Sequence, residues 1–171
     1  MGRSRYKIYE PTHPHFVTFT ILTNRDSVDI VIDSMKYLQE HDKLKIYAYV
    51  ILKNHIHAVM QSDDLPKTIQ KFKRHTAKYI IELLKKKNVK TILEQLAFYK
   101  KDHKKDSQHQ LWQDGYQPKL ILSDKMMREK IEYIHNNPIK RGYVDKDWHW
   151  RYSSARDYKG LKGLINIEKF V

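Results

Sequence analysis

The sequence predicts an α+β protein of the ferredoxin-like, split βαβ sandwich type, an antiparallel sheet with helices on one face. Three observations carry the prediction. Segments of strand and helix periodicity alternate in the order βαββαβα. The second strand segment is apolar throughout its later half, as a central strand covered on both faces is. No repeat or linker divides the 171 residues, so the whole chain, 1–171, reads as one domain.

Residues 15–23 (HFVTFTILT) alternate and are rich in β-branched and aromatic types, the pattern of a strand. A turn follows at 24–26, and Asp26 or Ser27 can cap a helix to about His41 with Ile30, Val31, Met35 and Leu38 inward. Residues 44–52 (LKIYAYVIL) form the second strand, Lys53-Asn54 a tight connection, and residues 55–61 (HIHAVMQ) the third strand. Asp63 and Asp64 offer a cap, and Pro66 falls in the first helical turn, where its missing N–H is harmless. The helix extends to about Lys87 with Ile69, Phe72, Thr76, Ile80 and Leu83 inward.

Residues 89–98 can make another helix, but 100–110 (KKDHKKDSQHQ) lack apolar periodicity, so about 88–110 reads as a basic insertion. A short strand at 118–122 (PKLIL) belongs at an edge or begins at its proline. Ser123 or Asp124 caps the last helix, which holds Met127, Ile131 and Ile134 inward. It is expected to stop at Asn136-Asn137, because Pro138 disfavours helical backbone in the residue before it. From about 139 to 171 the tail is irregular and aromatic-rich, with Ser153 and Ser154 suited to capping a short helix.

Composition narrows the partner. Hydrophobic residues make up 40% and charged residues 31%, a globular balance. With no cysteine there is no disulfide, thiolate metal site or cysteine nucleophile, which fits a reducing interior. The 33 basic residues against 20 acidic ones give a net charge of +13, a field that concentrates polyanions. No apolar run approaches the roughly 20 residues of a membrane span, and the charged start at residues 1–6 has no apolar stretch behind it, so a signal peptide is not expected. Nucleic acid is the expected partner.

Two constellations could do chemistry. His55 and His57 flank Ile56 in a strand, so both imidazoles face one way and Ile56 the other. Two neutral nitrogen ligands then stand side by side, open to a metal ion acting on a phosphoryl oxygen. A strand face carrying two histidines without a metal is the bland alternative. Tyr133 and Asn137 lie four residues apart on the last helix and are neighbours on its surface. A phenol can attack phosphorus, and an amide oxygen from Asn137 could reach the same metal. Alternatively, Tyr133 packs at the rim and Asn137 ends the helix. Tyr116, in a turn after Gly115, is a rival nucleophile.

Candidate DNA contacts are the helical stripe Lys71, Lys73, Arg74 and Lys78, the amino-terminal Arg3 and Arg5, and Lys140 and Arg141 beyond the last helix. Each could equally be solvated surface.

His55-Ile56-His57 resembles the histidine–hydrophobe–histidine motif of HUH nucleases. YIHNNPIKRGYV (residues 133–144), followed by WRYSSARDY (150–158), closely resembles the REP-associated tyrosine transposases of the single-tyrosine HUH superfamily. The likeness extends through HFVTFTI, FKRHTAKY (72–79) and LWQDGYQPKLI (111–121), and so covers most of the chain apart from about 88–110.

This resemblance implies an HUH-type sheet, with His55 and His57 as metal ligands, Tyr133 as nucleophile and Asn137 as a further metal contact, where many relatives carry glutamine. It implies Mg2+ or Mn2+ as cofactor and hairpin-containing single-stranded DNA at repeat-element ends as substrate. It also implies a 5′-phosphotyrosine intermediate, a monomer or homodimer, and a bacterial cytoplasmic, nucleoid-associated setting without membrane. The rival expectations are a non-catalytic, domesticated DNA-binding protein of the same fold, and a phosphodiesterase that uses activated water.

Overall fold

Four strands pair antiparallel in the order β2-β3-β1-β4, where β1 is His15–Thr20, β2 Lys45–Ile51, β3 His55–Gln61 and β4 Lys119–Leu120. This computed structural model describes residues 8, 10–20, 25–98, 100, 108–112, 116 and 118–171. The helices are α1 (Val28–His41), α2 (Leu65–Lys86), α3 (Lys90–Phe98), α4 (Asp124–Lys140) and α5 (Ala155–Tyr158). The expected ferredoxin-like order is therefore present, with β4 at an edge.

The strands' alternation sorts the core into two layers. Val17 and Phe19 of β1, Tyr49 and Ile51 of β2, and Ile56, Ala58 and Met60 of β3 meet α1 and α2 on one face. Phe16, Val50 and Val59 meet Met127, Ile131 and Ile134 of α4 on the other. The expectation of helices on one face is thus corrected. β2 is apolar at both parities and β3 adds Val59 beside its histidines, so a second face needed covering, and α4 covers it.

Within the helices, three details differ from the sequence reading. α1 begins at Val28 after a 3-10 turn at Arg25–Ser27, and its buried side includes Val28 and Ile32, whereas Ile30 is only half-buried. On α2 the last inward residue is Leu84, not Leu83, because the row Phe72, Thr76, Ile80, Leu84 advances by four. α4 also continues through Pro138 to Lys140.

A proline lacks one helical donor, but the turn beyond it closes fully. Arg141 N–H donates to Asn137 O at 3.2 Å, Gly142 N–H to Ile139 O at 2.8 Å and Tyr143 N–H to Pro138 O at 2.9 Å. The last two bonds make a Schellman ending, which needs the left-handed conformation that Gly142 supplies at φ 69°. The proline ring itself is buried, so packing offsets the lost bond.

β2, expected at the centre of the sheet from its apolar run, is instead the other edge, and it is buried because the tail covers it. Ile51 N–H donates to Tyr152 O, Ser154 N–H to Tyr49 O, and the Trp150 indole to Ile51 O at 3.0 Å. The exposed row of backbone groups that would invite another strand is closed by the chain itself. Ser153 and Ser154 are fully buried. Ser153 Oγ accepts from Ala155 N–H at the start of α5, whereas Ser154, the residue at the N-cap, makes no side-chain cap bond because its Oγ is engaged by Tyr49 and His135. Among the described residues, no helix is long and apolar enough to cross a membrane.

Candidate functional site

The site lies on the α4 side of the sheet, at the end of β3 that follows the Lys53-Asn54 turn. His55 and His57 point the same way, their rings 5.9 Å apart and inclined by only 15°, while Ile56 is fully buried on the opposite face. Strand pairing supplies the neighbours: Thr18 stands directly across from His57 and Phe16 across from Val59. Thr18 Oγ1 is 2.9 Å from His57 Nδ1, and the Phe16 ring stacks on His57 at 5.9 Å.

Both imidazoles are held below the ordinary histidine pKa. For His57 the main cause is burial, aided by the charges of His55 and Arg141, and its pKa falls to about 4. For His55 burial again comes first, then Arg141. The pair is therefore neutral at physiological pH, the state in which imidazole donates a lone pair to a metal. With Nδ1 of His57 engaged by Thr18, its Nε2 is the nitrogen left to ligate, a common arrangement around metal-bound histidine. His55 Nδ1 is buried without a hydrogen-bond partner, a vacancy in polar pairing that a ligand would fill.

Above this pair, α4 presents Tyr133. Its ring meets His57 edge-on at 5.5 Å and Phe16 edge-on at 5.8 Å, and the residue is 40% exposed. Tyr133 and the histidine pair thus converge within one chain. Lys130 and Lys140 place their ammonium groups 5.8 Å from the Tyr133 ring centre, and Lys130 also sits 5.0 Å from that of Phe16. One turn beyond Tyr133, Asn137 is buried and its Oδ1 accepts from Arg141 Nε at 3.0 Å. That oxygen keeps a second lone pair. Among the described residues, no group of three His, Cys, Asp or Glu side chains could hold a metal; the amide oxygen of Asn137 is a further oxygen donor one turn from Tyr133.

The other expected residues fall elsewhere. Tyr116 packs 6.0 Å from Phe19, on the sheet face opposite the histidines, and its hydroxyl pKa is pushed up by burial. The structure removes it as the rival nucleophile. The stripe Lys71, Lys73, Arg74 and Lys78 is on α2, which covers that same opposite face, so it is not brought to the site. Lys71 binds Asp42 at 2.7 Å, and Lys73 lies over Phe19, Trp112 and Tyr116. Arg74 and Lys78 are exposed. Arg3 and Arg5 lie outside the described residues.

Sequence reasoning missed Thr18, Phe16 and Lys130. Lys130 could have been found, since it stands three residues before Tyr133 on one helix. Thr18 and Phe16 required the register of β1 against β3.

Comparisons with known proteins bear on the sequence resemblance and the fold. No protein-family model matches the chain. A Haemophilus influenzae protein named "Putative REP-associated tyrosine transposase" is 31% identical over 121 residues, which is 70% of this chain and 64% of that protein. The chain therefore matches somewhat less than two thirds of that relative's length. The solved structure of a REP-associated tyrosine transposase bound to a REP hairpin superposes with a TM-score of 0.65 at 18% identity, covering 98% of this chain and 94% of that one. A transposase from Deinococcus radiodurans, described as putative, matches with a TM-score of 0.44 at 14% identity over 80% of this chain and 97% of its own. This chain thus resembles a REP-associated tyrosine transposase in sequence and has the fold of one in structure.

Proposed function

We propose that this chain is a REP-associated tyrosine transposase, acting as one domain, that cuts and rejoins hairpin-containing single-stranded DNA through a 5′-phosphotyrosine intermediate. The observation that carries the reading is the meeting of Tyr133 with His57 at 5.5 Å, beside His55, on one face of one chain. A Mg2+ or Mn2+ ion held by His55 and His57, with Asn137 as a further ligand, would supply Lewis-acid polarisation of the scissile phosphate. The neutral imidazoles and the unpaired His55 Nδ1 fit such an ion.

The chain's own part follows from the geometry. Thr18 and Phe16 fix the His57 ring, and the strand fixes its spacing from His55. Tyr133 attacks phosphorus: the phenol gives up its proton, its oxygen forms the new ester, the bond to O3′ breaks, and the departing 3′ oxygen takes up a proton, so that the net change moves one proton from phenol to O3′. Lys130 and Lys140 flank the tyrosine, and Arg141 stands by Asn137 and the histidine pair, together supplying the positive charge that a phosphate requires. The phosphotyrosine ester retains the bond energy, so attack by another 3′-hydroxyl joins strands. A monomer completes this site without exchanging helices with a partner, and a DNA substrate puts the protein at the bacterial nucleoid. The solved relative was bound to a REP hairpin, and a hairpin with a short 5′ single-stranded flank at repeat-element ends is the substrate class proposed here.

Replacing Tyr133→Phe tests the reading. With a labelled hairpin oligonucleotide and either metal, the wild-type protein should yield a covalent adduct that survives denaturing gels. The variant should yield none while still binding the hairpin. Cleavage by the variant at the wild-type rate removes Tyr133 as nucleophile, and strand scission by the wild type without an adduct points to activated water. A second reading, binding without cutting, draws on one observation: the Asn137 amide is already occupied by Arg141. Hairpin binding without scission in either metal would favour it.

A further inference from the structure

Beside the site, where α4 ends, stands an aromatic step that the reaction above does not use. The Schellman ending at Gly142 reverses the chain and delivers Tyr143 next to the β2–β3 turn. The Tyr143 ring lies on Trp150, with centroids 5.3 Å apart and planes inclined by 29°, and 36% of the residue is exposed. Trp150 is fixed from behind. Its indole donates to Ile51 O at 3.0 Å, and Tyr152 meets it edge-on at 6.1 Å. Lys53 places its ammonium group 5.8 Å from the centre of the Tyr143 ring. Only Asn54 separates Lys53 from His55, so the two lie within about 7 Å of extended backbone. On the other side, Arg141 is two residues from Tyr143 and close enough to lower the pKa of both histidines.

We propose that Tyr143, backed by Trp150, is a stacking platform for an unpaired base of single-stranded DNA next to the scissile phosphate, with Lys53 holding the adjoining phosphate. Three features argue for this over simple packing. The side chain is held by a rigid cap and a hydrogen-bonded indole, yet the residue is 36% exposed. A flat π surface exposed beside a cation matches the alternation of base and phosphate along a strand. Its place against Lys53 of the β2–β3 turn and two residues from Arg141 sets it beside the candidate site, where a strand reaching Tyr133 can meet it. Stacking tolerates any base, so the platform would hold the strand without reading its sequence. The inference deepens the proposed function and rests on DNA passing between Tyr133 and the histidine pair.

The test is binding of two fluorescent probes, a blunt hairpin and the same hairpin with a single-stranded thymidine tail. Tyr143→Ala should weaken the tailed probe by about 5- to 150-fold, the range of one lost base stack, and leave the blunt probe unchanged. Tyr143→Leu keeps an apolar contact on Trp150 without a π face and should lose the same tail affinity. Tyr143→Phe should bind as the wild type does. Lys53→Ala should reduce the salt slope for the tailed probe by about one phosphate contact. Wild-type tail affinity in both Tyr143→Ala and Tyr143→Leu overturns the platform, as does an equal loss on both probes. A wild type that forms the covalent adduct while its tail affinity ignores Tyr143 sinks this inference and spares the reaction. A wild type that forms no adduct but binds tails through Tyr143 does the reverse.

Discussion

The two faces of the sheet are built from the same strands and do different work. Under α1 and α2, Val17, Phe19, Ile56, Ala58 and Met60 form a closed apolar layer, and Phe19 packs on Phe72 and Trp112. Under α4 the apolar layer is smaller, and near the start of β3 it gives way to Thr18, His57, His55 and the exposed Tyr133. Successive residues alternate between these layers: Ile56 is buried in the larger core while its neighbours on each side form the candidate site. The face under α4 can carry polar groups because the other supplies the larger apolar layer.

Two phenylalanines in β1 give the largest contrast. Phe19→Ala should lower the unfolding free energy by about 3–5 kcal/mol, measured by urea titration, since a fully buried aromatic leaves a cavity. The protein that stays folded should cleave DNA normally. Phe16→Ala should cost less stability, because α4 can settle onto the gap, and should slow cleavage by loosening His57 and Tyr133 together. If Phe16→Ala cleaves at the wild-type rate while costing as much stability as Phe19→Ala, the division between the faces fails.

The next contrast is with acid. The histidines whose pKa is pushed down to about 4, His57 and His135, both lie on the α4 side. His135 is buried, with its Nε2 2.9 Å from Ser154 Oγ, and burial is the main cause of its shift. A histidine lowered on folding binds its proton more readily in the unfolded chain. Its contribution is therefore complete above about pH 6.5 and is lost as pH falls from there toward 4. For His135 that loss amounts to about 3 kcal/mol, from about 1.4 kcal/mol per unit over the shift from 6.5 to about 4. Urea midpoints for wild type and His135→Gln at pH 7 and pH 5 should converge as the pH drops. Parallel curves would show that His135 is not the acid-sensitive group.

How much of this the sequence discloses depends on the range of the interaction. His55 and His57 are legible because a strand alternates over two residues, and Tyr133 with Asn137 because a helix repeats over nearly four. The Arg141–Asn137 bond has the same four-residue spacing and could have been read. The side of the sheet that α4 takes could not, because β2 is apolar at both parities and offers no preference. The passage of α4 through Pro138 depends on burial of that ring, and closure of the β2 edge by residues 152–154 depends on a contact about a hundred residues away. Local patterning thus identifies which groups could react, and only packing across the sheet shows that Tyr116 is excluded and Tyr133 is not.

The smallest expected effect concerns charge. Lys71 is paired with Asp42, and Lys71 with its neighbours Arg74 and Lys78 belongs to the helix behind the sheet, whereas Lys130 and Lys140 flank Tyr133. Lys71→Met should change stability by only about 0.2–1 kcal/mol, because a partly exposed ion pair is weak and screened by salt. Each lysine that touches a phosphate releases roughly one counterion, so removing Lys130 and Lys140 together should flatten the salt dependence of hairpin binding by about two contacts. Removing Arg74 and Lys78 together should leave that slope nearly unchanged. The comparison needs only hairpin affinities over a series of salt concentrations. An equal loss of slope from both pairs would mean that the DNA wraps around the molecule, and the sheet would then have no back.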